Sequence, residues 1–164
     1  MEFFFQSTLG GFHTLSAIVA LITGAMVFLR KKGNAQHKVY GYTYVVAMLA
    51  LNISAIPLQN LFDGLGWFHL FIVISLPYII WGMYYPLFAR SNPNWMVNHF
   101  EILSYSYIGL CAAFIAEVVV RLPLQAMVGN VNQFIIGVFV IAFICAVMGY
   151  RVIRSYKTKH FAQS

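Results

Sequence analysis

The chain has 164 residues, 61% of them hydrophobic and 9% charged, with a mean hydropathy of +0.77. That balance excludes an ordinary soluble domain and indicates an integral membrane protein. A net charge of +6 would suggest nucleic acid in a soluble chain, but nine of the ten cations sort to one side of the expected helices, as in membrane topology, so no nucleic-acid partner is expected.

Charge-free runs cover residues 3–29, 39–62, 64–89 and 122–150, and a fifth, 102–120, is broken only by Glu117. Each approaches or exceeds the roughly 20 residues that cross about 30 Å of hydrocarbon as a helix. Nothing alternates like the strands of a barrel, so helices must satisfy the backbone in lipid. The expected fold is all-α: one transmembrane domain over 1–164, an up-and-down bundle of five helices near 8–29, 39–61, 67–88, 99–120 and 134–151, and a cationic tail over 152–164. The first run begins Met-Glu without an early cation, and it reads as a retained span and not as a cleaved signal peptide.

In the first helix His13, Ala17, Ala20 and Gly24 form a stripe of small residues on which a neighbour can pack closely. The basic hinge RKKGNAQHK follows, with Arg30, Lys31 and Lys32 stopping the first run and Gly33-Asn34 turning the chain. His37, Gly41 and Tyr44 then share a face at the start of the second helix. Asn52 and Ser54 lie farther along it, Asn52 suited to bridging helices or to meeting a ligand, and Pro57 is expected to kink it.

Asp63-Gly64-Leu65-Gly66 reads as a turn at the outer face, followed by Trp67 and His69 at the start of the third helix. Pro77 interrupts that helix near its centre, and Tyr78, Trp81, Tyr84 and Tyr85 crowd its inner half as packing or an interfacial belt, or else as the lining of a flat cofactor or quinone. His99 and Glu101 open the fourth helix, where Glu101 complements the helix dipole. Glu117 and Arg121 have the spacing of an intrahelical ion pair. Pro123 and Gly129-Asn130 mark a loop. The fifth helix is almost wholly apolar, and the tail RVIRSYKTKHFAQS suits an anionic leaflet. Cys111 and Cys145 sit within apolar runs and read as buried thiols, in preference to a disulfide or metal pair.

The cations place the N-terminus outside and the C-terminus in the cytoplasm; of the ten, only Arg121 falls on the outer side. Four histidines then alternate between faces, His13 with His69 outside and His37 with His99 inside. Haem iron takes two axial imidazoles, so either pair is a candidate haem b site, and two pairs on opposite leaflets would suit a transmembrane electron path. The alternative is a zinc or copper site at the outer end, from His13, His69, Asp63 and Glu117. No Walker, nucleophile-elbow, HExxH or dinucleotide fingerprint occurs.

His13 with the small stripe to Gly24, the basic hinge, His37-x-x-x-Gly41-x-x-Tyr44, Trp95-Met96 and Arg121-Leu122-Pro123 together resemble the bacterial membrane-protein family called domain of unknown function 2306. The likeness covers most of helices one to four, and HxxxGxxY is its most specific part. The resemblance implies a membrane bundle similar in architecture to b-type cytochrome subunits, with no activity to carry over. The family pattern has a histidine before Trp-Met and an arginine after it, where this chain has Asn92 and Asn98.

The leading expectation is therefore a membrane electron-transfer protein holding haem b, in contact with the lipid bilayer and with other membrane redox proteins or a larger membrane complex. A non-catalytic membrane subunit or assembly factor is the second reading. A small-solute or metal transporter is the third, permitted by the prolines and by Asn52.

Overall fold

A computed structural model describes residues 7–58, 69–121 and 131–161, with the main chain alone at 69–70, 120–121, 131–135 and 160–161. The described residues contain five helices, α1 (Thr8–Leu29), α2 (Ala35–Ala55), α3 (His69–Phe88), α4 (Trp95–Arg121) and α5 (Val131–Phe161), and no strand. Four of them have stretches long and apolar enough to cross a membrane: Thr8–Leu29, Phe71–Phe88, Trp95–Val119 and Ile136–Lys159. α2 is the less apolar one, because Gln36, His37, Lys38, Asn52 and Ser54 dilute its 21 residues.

Large apolar side chains face outward on these helices. Leu29, Val73, Phe88 and Phe143 are each about 70% exposed or more, a surface that a soluble monomer would not leave to water but that lipid covers. Buried positions combine small and polar residues with a few large ones, among them Tyr44, Met48, Ile79 and Leu110. On α1 they are Ser16, Ala20, Thr23 and Gly24, so the packing face takes Ala20 and Gly24 from the predicted stripe and adds Ser16 and Thr23, while His13 and Ala17 are half-buried.

Chain packing divides the protein into two units, one ending at Ile79 and the other beginning at Ile80. In the first, α1 and α2 form a hairpin. Its turn is built from local chemistry. The Lys32 ammonium donates to the carbonyls of Val27 at 2.6 Å and Phe28 at 3.3 Å and lies over the Phe28 ring, so a cation caps the negative end of α1. Gly33 turns the chain at φ +80, a conformation that favours glycine. The Asn34 side chain then accepts from the His37 backbone N–H at 2.8 Å and starts α2 at Ala35, four residues before the expected start. Asn34→Ala should cost about 1 kcal/mol, read as a lower unfolding midpoint in detergent.

α2 also ends earlier than expected. Ile56 caps it and Pro57 follows in a turn, so the proline terminates the helix and does not kink it. Within α3 the helix runs on through Pro77, which forfeits one backbone bond but keeps a helical φ. Tyr84 packs edge-on against Tyr85 and near Phe88, and Trp81 and Tyr84 are 62% and 49% exposed, as in an outward aromatic belt.

In the second unit α4 and α5 run antiparallel along each other. Phe100 lies against Tyr156, Glu101 binds Lys157 at 2.8 Å, and Tyr105 stacks on Tyr150. These contacts hold α5 in helix through its cationic stretch to Phe161. Glu101 is the seventh residue of α4, outside the first turn, and its charge is matched by Lys157 in place of the helix dipole. Replacing Lys157 by Met should cost under about 1 kcal/mol, because both partners are part-exposed.

Candidate functional site

Within the first unit the polar side chains of α1, α2 and α3 converge. His13 on α1 meets Ser54 on α2, with Nδ1 and Oγ 3.1 Å apart. Ser54 has one hydroxyl proton, and it donates that proton to the Leu51 carbonyl at 3.0 Å. With that proton on the Leu51 carbonyl, the His13 contact runs the other way, from Nδ1–H to the serine oxygen. That tautomer places the lone pair of the neutral imidazole on Nε2.

Two residues before Ser54, buried Asn52 continues the network. Its amide nitrogen donates to the Met48 carbonyl at 2.7 Å, and its oxygen accepts from the Ser75 hydroxyl of α3 at 2.8 Å. Asn52 thus bridges helices, as its position in the sequence suggested. Asn52→Ala should cost about 1 kcal/mol, and Asn52→Ala with Ser75→Ala little more, since both remove one shared bond. Thermal unfolding of the four-member set measures this.

Sequence reading named Ser54 but did not join it to His13. The signal was there: Gly33 and Asn34 lie midway between the two in the chain, so a hairpin closing on that hinge brings them level. Ser75 carries no such signal, because without a known loop between α2 and α3 nothing in the sequence sets its register against Asn52.

His99 is held differently. In the second unit its Nδ1 lies 2.8 Å from the Gly82 carbonyl of α3. A carbonyl only accepts, so this histidine too carries its proton on Nδ1 and its lone pair on Nε2. His99 is the fifth residue of α4, two residues before Glu101 of the Glu101–Lys157 pair, which sets it near a charged end of the helix.

The remaining expected ligands are distributed as follows. His37 belongs to the first unit, half-buried in the first turn of α2, with its backbone N–H on Asn34. Tyr44 of the same segment is buried, whereas a Cβ at Gly41 would meet no atom within 4 Å. His69 opens α3, and its ring lies outside the described side chains. Asp63 lies outside the described residues, as do the Asp63–Gly66 turn and the loop after α4, and so does the Arg121 side chain that would pair with Glu117. Glu117 is half-buried on α4 in the second unit. Among the described residues no three of histidine, cysteine, aspartate and glutamate stand together as a metal would need.

A family model described as predicted membrane protein (DUF2306) matches residues 11–158. Neither the curated proteins nor the solved structures gave a match.

Proposed function

The chain belongs to the DUF2306 family of predicted membrane proteins, and from that premise we propose a multi-pass membrane electron-transfer protein in which His13 and His69 hold haem b between α1 and α3. The observation that supports this is the His13–Ser54 hydrogen bond. A ligating histidine commonly donates its other ring nitrogen to a neighbouring oxygen, which fixes the tautomer and raises the basicity of the ligating atom. Ser54 does this for His13, and beside it buried Asn52 ties α2 to α3 through the Ser75 hydroxyl. When bound, the iron supplies a one-electron couple, and bis-histidine ligation leaves it no open position for oxygen.

In this reading α2 crosses the membrane with the other four helices, the N-terminus is outside and the tail cytoplasmic, in a bacterial inner membrane. His37 and His99 fall outside the haem site; His99 serves as a clamp between α4 and α3. A visible spectrum of the purified protein tests the reading. The expected result is a Soret band that moves on dithionite reduction, is absent from His13→Ala and His69→Ala, and persists in His99→Gln. A colourless, metal-free preparation from haem-sufficient cells overturns it, and metal analysis of the same sample decides on zinc or copper.

A second reading, a non-catalytic membrane subunit or assembly factor, is favoured by the same bonds taken as helix-to-helix clamps. His13 to Ser54 and His99 to Gly82 each join two helices with no cofactor required. Co-purification of a stoichiometric membrane partner with a colourless protein would support it.

A further inference from the structure

The two cysteines of the chain have no part in that proposal, and the packing of α4 on α5 brings them together. Along this antiparallel pair Glu101 meets Lys157, Phe100 meets Tyr156 and Tyr105 meets Tyr150, while a Cβ on Gly149 would touch Ile108. Every step toward the end of α4 is a step back along α5. Continuing in that register, one turn beyond Ile108 and one turn before Gly149, Cys111 falls opposite Cys145. Both positions lie on the contacting faces, in helical phase with Glu101 and Ile108 on one side and with Gly149 and Ile153 on the other. The electrostatics agree: Cys145 and the Tyr107 side chain are both among the groups that act on the Cys111 thiol. Both thiols are free and half-buried.

We propose that Cys111 and Cys145 are a redox-active dithiol that closes to a disulfide between α4 and α5, with a lipid-soluble quinone as the two-electron acceptor. The location selects the acceptor. Cys145 stands six residues, about 9 Å, inside Arg151, within the span Ile136–Lys159, where water-borne oxidants are excluded and an apolar two-electron oxidant dissolves. In the step two S–H bonds break and one S–S bond forms. The two electrons and two protons pass to the quinone, which leaves as the quinol; excess quinol or an added dithiol reverses it. Tyr107 is a positioning residue, holding the Cys111 sulfur toward its partner. The closed form ties the two helices of the second unit together, and the proposal does not depend on the haem reading.

The test uses the full chain in lipid nanodiscs with a short-chain ubiquinone analogue. The expected product is a monomer two hydrogens lighter, with both thiols lost to alkylation and one quinol formed per disulfide. Cys111→Ser and Cys145→Ser each abolish closure, and Tyr107→Phe slows it several-fold at an unchanged unfolding temperature. The proposal is overturned if the wild-type thiols survive the quinone while N-ethylmaleimide still alkylates both, or if oxidation yields only dimers joined through one cysteine. The wild-type measurement decides by itself, so a variant that fails to fold does not blunt it.

Discussion

Gly149→Val is expected to destabilise the second unit by about 1–3 kcal/mol, and Ile108→Ala in the same chain to recover most of that loss. A Cβ at position 149 would lie 2.5, 2.6 and 2.8 Å from three atoms of the Ile108 side chain. Two of those atoms are attached directly to the Ile108 Cβ, and a β-branched side chain in a helix has one strongly preferred rotamer, so Ile108 cannot swing aside. The helices must separate instead, and the Tyr105–Tyr150 stack is the next contact to loosen. Truncating Ile108 removes the obstacle, which makes the pair a double-mutant cycle with a coupling term of opposite sign to the single substitutions. Unfolding in detergent followed by helix signal measures it. A Gly149→Val protein as stable as wild type would show that α4 and α5 do not approach this closely.

Gly82 gives the same experiment a chemical edge. A Cβ there would lie 2.5 and 2.7 Å from two atoms of Leu103, yet Leu103 has rotamers into which it can retreat. Gly82→Ala should therefore cost less than Gly149→Val, unless the shift also stretches the bond from His99 to the Gly82 carbonyl. Comparing Gly82→Ala with and without His99→Gln separates packing from that hydrogen bond.

These contacts bear on what could be read from sequence. The helical class was legible because lipid leaves the backbone few alternatives, and the charge-free runs gave the elements. The α1–α2 register was legible in principle from the hinge. The ends of α2 were not, because Asn34 and Pro57 each act through a local cap that competes with hydrophobic run length. Nor was the length of α5, since the helix persists past Arg151 only where Tyr156 and Lys157 find partners on α4. For the candidate site, residue type identified His13, but its tautomer came from a serine hydroxyl whose own proton was already committed. A pattern of histidines carries no such information. The Cys111–Cys145 opposition was invisible for a related reason: the loop between α4 and α5 had no fixed length until the register of the two helices was known.

Ser54→Ala is expected to lower haem affinity by about 10–100-fold while leaving the Soret position of the bound fraction nearly unchanged, whereas His13→Ala abolishes the proposed haem site. The alanine variant keeps Nε2 and the small face of α1, but without the serine oxygen the ring can turn and exchange tautomers, and only part of the population offers its lone pair. Occupancy measured by haem titration therefore distinguishes a ligand from the group that orients it. The same two variants also separate the proposed carrier from a scaffold. A clamp between α1 and α2 loses one shared bond in either case, so His13→Ala and Ser54→Ala would then destabilise the protein about equally, by about 1 kcal/mol, and no spectrum would respond. Unequal effects on haem with equal effects on stability would support the ligand reading, because only a cofactor distinguishes the two ends of the His13–Ser54 hydrogen bond.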